Sequence, residues 1–223
     1  MIFGIQKLSL VDYPKHPSFV IFLGGCNFAC PFCHNASIVL KEATNYDTDS
    51  VLNLIKVRKD FLDGVVVTGG EPTIYGQKLI ELLRQIKTLG LAIKLDTNGT
   101  HPEIIKQILD ENLVDYLAMD LKNTFDKYAM TAGVKVSIPT IKESIRLLEN
   151  SGIEYEFRTT INKTMHKKED LQEIKTYLTD PSRWFLQPYH YNEQQLEKTD
   201  FLEYNEIELN EFHDLLQDDH IRV

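Results

Sequence analysis

From residue 19 onward, short apolar runs alternate with segments whose apolar residues recur every three or four positions, the signature of strands and helices in turn. Residues 19–23 are a continuous run of branched and aromatic side chains ending at Gly24-Gly25, and read as a strand buried on both faces. A helix over 48–58 follows, with Val51, Leu52 and Ile55 on one face, then a short buried strand over 64–67. Residues 77–89 place Leu79, Ile80, Leu83 and Ile86 at helical spacing and stop at Gly90. After a strand over 91–95, Thr100 and Glu103 read as a capping box around Pro102, opening a helix with Ile104, Ile105, Ile108 and Leu109 on its apolar face. The remaining pattern predicts strands over 114–121, 153–161 and 184–187. Between and after them it predicts a helix from Pro139 to Gly152, one over 169–178, and a last one over about 204–216. Ahead of this series, residues 5–12 alternate apolar and polar and predict an edge strand or hairpin arm, broken by Tyr13-Pro14.

Strand and helix thus alternate about six times, which implies right-handed crossovers and a parallel sheet in an α/β fold. Periodicity alone leaves an open doubly wound sheet and a barrel both available, although the chain is shorter than a usual eight-unit barrel. No linker, repeat or low-complexity tract interrupts it, so residues 1–223 are expected to form a single domain. In parallel α/β folds the chemistry gathers at the C-terminal ends of the strands. Four of the predicted strands end there in unusual groups: the loop from Cys26 to Asn35, Thr68-Gly69-Gly70-Glu71-Pro72, Asp96-Thr97-Asn98-Gly99, and Asp120-Leu121-Lys122.

The first of these loops holds every cysteine of the 223-residue chain: Cys26, Cys30 and Cys33. Their number is odd, and a disulfide framework belongs to small cysteine-dense secreted chains, which leaves metal binding or reactivity. Zinc would take the three thiolates with His34 as a nominal fourth ligand, but Cys33 and its immediate neighbour would then have to face the same ion. An iron–sulfur cube normally takes four cysteines, so three leave one iron open for a substrate. Three clustered core thiols are the remaining alternative, and the polar, turn-forming Asn27, Pro31, His34 and Asn35 around them oppose it.

A hydrophobic content of 43% with 26% charged residues is that of an ordinary globular protein. The net charge of -9 argues against a general nucleic-acid binder. With no signal-peptide pattern at the N-terminus and no apolar window long enough for a membrane span, the expectation is a cytoplasmic protein with no membrane association, a compartment that keeps thiols reduced.

Cys-x3-Cys-x2-Cys, with the aromatic Phe32 before its last cysteine, resembles the signature of the radical S-adenosylmethionine superfamily. The resemblance implies a partial (β/α)6 barrel in which Cys26, Cys30 and Cys33 hold a 4Fe-4S cluster. The open iron would chelate the amino and carboxylate groups of S-adenosylmethionine. It also implies that Gly69, Gly70 and Glu71 hold the methionine amino group. The Asp-Thr-Asn-Gly and Asp-Leu-Lys segments are similar to those of glycyl-radical-enzyme activating enzymes, where they lie around the cofactor carboxylate and a nearby monovalent cation. That assigns Asp96, Thr97, Asp120 and Lys122 to the cofactor, joined by Phe32, Arg158, His190 and His34, the last flanking the adenine through its backbone and not as a metal ligand. No general acid or base is implied.

The stretches Gly4 to Pro14, Gly24 to Phe28 and Asp126 to Val134 resemble the activating proteins of anaerobic ribonucleoside-triphosphate reductase. The implied partners are that large reductase as protein substrate and a flavodoxin or ferredoxin as reductant. Activation of pyruvate formate-lyase or another glycyl radical enzyme is the alternative within the family. A zinc-binding interaction module is the alternative outside it.

Overall fold

Two strands joined by residues 10–17, β1 (Ile2–Ser9) and β2 (Ser18–Leu23), pair antiparallel, and from β2 onward every neighbouring strand is parallel. The computed structural model describes residues 1–40, 46–199 and 201–216. After β2 the chain runs through α1 (Ala36–Leu40), α2 (Thr48–Arg58), β3 (Gly64–Gly69), α3 (Gln77–Lys87), β4 (Ala92–Thr97) and α4 (Pro102–Asp110). It continues through β5 (Tyr116–Asp120), α5 (Tyr128–Ala132), α6 (Ile138–Glu149), β6 (Glu154–Ile161), α7 (Lys168–Lys175), β7 (Trp184–Pro188) and α8 (Glu206–Leu216). The seven strands lie side by side in sequence order, and no pairing among the described residues joins β7 back to β1. Six parallel strands therefore make the expected partial barrel, open on one side, with β1 as an added antiparallel edge.

Alternation along each strand sorts the two faces of the sheet. Phe19, Ile21, Leu23, Val65, Val67, Ile93, Leu95, Leu117, Met119 and Phe157 enter the main core with the helices. α3 is typical of the covering layer: Leu79, Ile80, Leu82, Leu83 and Ile86 are all buried, each adding about 1.5–3 kcal/mol of burial free energy. On the other face Val20 and Val66 pack with Tyr13, Phe22, Ala92 and Tyr116. Tyr13 closes the end of the sheet where the parallel strands begin, and a Cβ on Gly64 would stand 2.8 Å from its ring. The opposite end, where those strands finish, is left for the site.

Two local expectations are corrected. The first strand spans residues 2–9 and not 5–12, because the Ser9 hydroxyl accepts from the Val11 and Asp12 amides and turns the chain there. Thr100 does not cap α4. Its hydroxyl donates to Asn98 Oδ1 at 2.6 Å, which holds it one residue too early, and His101 stands at the cap position without a side-chain bond.

Candidate active site

The cavity at the strand ends has a volume of about 230 Å³. Cys26, Cys30, Cys33, Phe32 and His34 line one side of it, and Gly69, Gly70, Asp96, Thr97, Asp120, Lys122 and Arg158 the other. Five segments far apart in the sequence thus bring twelve of the fourteen predicted residues to one cavity. Phe28, Asn35, Val39, Thr68, Asn98 and Thr160 also line it and were not singled out from the sequence. Glu71 and His190 are the two that do not.

The root of the cysteine loop is held by the strand-end loop beside it. Gly70 N–H donates to Leu23 O and Glu71 N–H to Gly25 O, each at 2.9 Å, and the Tyr75 hydroxyl donates to Gly24 O at 2.6 Å. The two glycines serve this contact. A Cβ on Gly69 would lie 2.2 Å from Leu23 O, and one on Gly70 2.0 Å from Gly25 O. The close approach expected toward a ligand is thus first an approach to the protein's own backbone.

Glu71 is turned away from the cavity and is fully buried. Its Oε1 accepts from the Thr73 hydroxyl, from Thr73 N–H at 3.0 Å and from Thr97 Oγ1 at 2.8 Å, and its Oε2 from Asn98 N–H at 2.6 Å. Burial raises its pKa, and these donors act against that rise. The carboxylate is a clasp that ties the loop after β3 to the loop after β4.

Further along, Ala29 N–H donates to Ala132 O at 2.9 Å, and Gly133, with φ 70°, allows the carbonyl of Ala29 to lie against it. A strap after β7 completes the support: Leu196 N–H donates to Cys33 O at 3.0 Å and Glu197 N–H to Pro31 O at 2.9 Å. Phe32 packs edge-on against Tyr189 and Phe201 of the same segment. None of these supports was visible in the sequence, because backbone contacts leave no side-chain pattern.

Burial pushes the Cys26 thiol up to about 12 and raises that of Cys30 as well, while the nearby Lys122 acts to lower both. Thiols so disposed are poor free nucleophiles and become thiolates when a metal takes the proton's place. Among the described residues no three His, Cys, Asp or Glu side chains are placed to hold a single ion. The three sulfurs share one cavity, and three thiolates with no fourth are the ligand set of an iron–sulfur cluster with one open iron. The donor set therefore fits an iron–sulfur cluster. His34 Nε2, buried and without a hydrogen-bond partner, is a further polar atom at the cavity left for a bound group.

Facing the thiols is a ladder of charge. Lys94 Nζ reaches Asp96 Oδ1 at 2.5 Å, Arg158 Nη1 reaches Asp96 Oδ2 at 3.3 Å, and Arg158 Nη2 reaches Asp120 Oδ1 at 3.0 Å. Lys122 Nζ closes it on Asp120 Oδ2 at 2.9 Å. Burial works against ionising Asp120, but Lys122 and Arg158 outweigh it and hold the carboxyl at about 2. Burial likewise disfavours the Lys122 and Arg158 cations, and the facing carboxylates raise both above their ordinary values. Lys94 was missed from the sequence, although a lysine inside an apolar strand two residues before Asp96 was a visible signal.

The loop bearing Lys122 is fixed by His166, whose Nε2 donates to Lys122 O at 2.8 Å while its Nδ1 accepts from Asn162 N–H at 3.3 Å. His190 stands outside the cavity lining, exposed, with its Nδ1 3.1 Å from Glu203 Oε2.

Comparison with known proteins fits this geometry. The Radical SAM superfamily profile matches residues 20–180. A protein of Methanocaldococcus jannaschii assigned as a glycyl-radical enzyme activating enzyme is 37% identical over 195 residues, which span 85% of this chain and 80% of that one. The pyruvate formate-lyase-activating enzyme of Clostridium pasteurianum is 24% identical over 232 residues, 99% of this chain and 89% of its own. Streptococcus suis SuiB bound to S-adenosylmethionine shares the fold, with a TM-score of 0.69 at 15% identity over 89% of this chain and 48% of SuiB. The family uses a 4Fe-4S cluster and S-adenosylmethionine, the groups for which the three thiols and the charged wall are suited. The match over residues 20–180, together with identity running through most of both chains in the archaeal relative, settles the affiliation: this chain belongs to the radical S-adenosylmethionine superfamily and, within it, to the glycyl-radical enzyme activating enzymes.

Proposed function

We propose that this chain installs a glycyl radical on the large anaerobic ribonucleoside-triphosphate reductase. The observation that carries the activase reading is the cavity itself, with three thiols on one wall and the Asp96, Asp120, Lys122 and Arg158 ladder on the other. When bound, the cluster and S-adenosylmethionine supply one-electron cleavage of the sulfonium and a 5'-deoxyadenosyl radical that takes a hydrogen atom from a glycine Cα. The chain's own part is to bind, orient and shield. Cys26, Cys30 and Cys33 would hold the cluster, Lys122 and Arg158 would face the cofactor carboxylate, and Phe32 and the backbone of His34 would flank the adenine. Gly69 and Gly70 present backbone toward the methionine amino group, held in place from behind by Glu71. His190 adjoins the site through its backbone, which bonds to His34, and a flavodoxin or ferredoxin supplies the electron.

The reductase as target is supported by the stretches Gly4 to Pro14 and Asp126 to Val134, which resemble that subgroup. Their structural roles agree with a family-specific part: Tyr13 plugs the sheet, and Ala132 and Gly133 seat the cysteine loop. Likeness to the clostridial activase favours pyruvate formate-lyase as the second reading. The two separate in one experiment. Cluster-loaded protein is reduced with S-adenosylmethionine and offered each candidate enzyme deuterated at glycine. Transfer of label into 5'-deoxyadenosine and a glycyl radical signal with the ribonucleotide reductase alone are expected. Label only from pyruvate formate-lyase would transfer the assignment, and label from neither would end it.

A further inference from the structure

The resemblance that assigns Asp96 and Asp120 to the cofactor carboxylate also brings a monovalent cation to them, and the residues of this chain do not fit one. A sodium or potassium ion is drawn to oxygen ligands whose negative charge is not yet balanced. Here each of the four carboxylate oxygens already faces one of the chain's own cations: Asp96 Oδ1 faces Lys94, Asp96 Oδ2 Arg158, Asp120 Oδ1 Arg158 and Asp120 Oδ2 Lys122.

The placement of Lys94 follows from the strand. Residues two apart on β4 share a face, so Lys94 lies one step deeper than Asp96, paired in register with Tyr116 of β5. Its side chain is 2% exposed, its ammonium is 6.0 Å from the centre of the Tyr116 ring, and it does not line the cavity. The charge is therefore fixed beneath Asp96.

Charge balance points the same way. On this face Lys94, Arg158 and Lys122 meet Asp96, Asp120 and the buried Glu156, which accepts from the Tyr116 hydroxyl at 2.8 Å and lies in the field of Arg158. Three cations against three carboxylates leave this ladder neutral in itself, apart from the thiolates on the facing wall. The amino-acid end of S-adenosylmethionine, a zwitterion, adds no net charge, whereas a metal ion would add one positive charge in a poorly solvated place.

We propose that the Lys94 ammonium is a built-in monovalent cation, so that the site accepts the cofactor's carboxylate without sodium or potassium. The proposal rests on the cofactor reading of the cavity. Its test needs a readout that survives the failure of that reading.

S-adenosylmethionine affinity is measured on anaerobic, cluster-loaded protein at fixed ionic strength, with tetramethylammonium, sodium or potassium as the only added cation. The thermal unfolding midpoint is recorded in the same buffers without S-adenosylmethionine. For the unaltered chain, both quantities are expected to be the same in all three salts. Lys94→Met empties the place beside Asp96 Oδ1. In tetramethylammonium its affinity is expected to fall about tenfold, the scale of one charge-assisted bond. Sodium or potassium should restore it and raise the unfolding midpoint, whereas Lys94→Arg should need neither.

A saturable sodium or potassium effect on the unaltered chain overturns the proposal, as does a Lys94→Met protein indifferent to all three salts. If Lys94→Met does not fold, the salt response of the unaltered chain and of Lys94→Arg decides the matter. If cluster-loaded protein binds no S-adenosylmethionine, the cofactor reading fails, and the unfolding midpoints still decide whether Lys94 fills a cation's place.

Discussion

Gly133 ends α5 with φ 70°, and a Cβ there would lie 2.0 Å from the carbonyl oxygen of Ala29, midway along the cysteine loop. Gly133→Ala therefore carries two separable costs. The left-handed backbone costs an L-residue about 1–2 kcal/mol. Relieving the contact then means moving α5 or the cysteine loop by roughly the 1 Å that separates a clash from a tolerable approach, which breaks the 2.9 Å bond from Ala29 N–H to Ala132 O and costs a further ~1 kcal/mol.

Gly152 supplies the control. It has φ 74° with no atom within 4 Å of a would-be Cβ, so Gly152→Ala bears the first cost alone. Gly152→Ala should lose about 1–2 kcal/mol of stability and load iron and sulfide normally. Gly133→Ala should lose about 2–3 kcal/mol, or roughly 4–12 °C in unfolding midpoint for a chain of this size. It should also load less cluster, because the loop carrying Cys26 and Cys30 has shifted. The assays are thermal unfolding of the apo protein and iron and sulfide content after anaerobic reconstitution. Equal behaviour of the two variants, or normal loading by Gly133→Ala, would refute the argument that α5 seats the loop.

Cys30→Ala should abolish cluster and S-adenosylmethionine cleavage together, whereas Lys122→Ala should keep the cluster, read by electron paramagnetic resonance, and weaken cofactor binding; full affinity in the lysine variant would misplace Lys122. Glu71→Gln turns an amide N–H₂ toward donors that now meet a carboxylate, and should cost about 1–3 kcal/mol in urea unfolding; an unchanged midpoint would mean that the clasp carries no load. His166 is held neutral by burial, which lowers its pKa below the ordinary histidine value. On acidification below about 6.5 the unfolded chain takes up the proton first, so stability present above that pH falls through the folded pKa, by at most ~1.4 kcal/mol per pH unit. His166→Asn should remove that part of the slope, and an identical pH profile for the variant would show that another group produces it.

The parallel strands were legible because burial on both faces makes them plain apolar runs, as 19–23 and 64–67 show. α1 and α5, five residues each, are too short to display a period, and they passed unseen although α5 props the cysteine loop. The site residues were legible where chemistry demands a residue type, as with the thiols, Asp96, Asp120 and Lys122. Glu71 was legible as part of a motif, but its bonds to Thr73, Thr97 and Asn98 were not, since sequence does not tell which way a side chain turns at a strand end. Lys94 shows the reverse, a charged residue whose oddity in an apolar strand was readable but whose partner became clear only from the register. His190 is exposed and paired with Glu203 outside the cavity lining, and it adjoins the site only through its backbone bond to His34.

The strap bonds from Leu196 and Glu197 to Cys33 and Pro31 set an order of assembly. During synthesis the cysteines are made before the groups that fix their loop, which come from α5 and then from beyond β7. A nascent chain therefore exposes three unshaped thiols until those later segments have been made. Cluster delivery is in effect a step that waits for the strap, and a chain halted before residue 197 would be made with its metal ligands present and their seat missing.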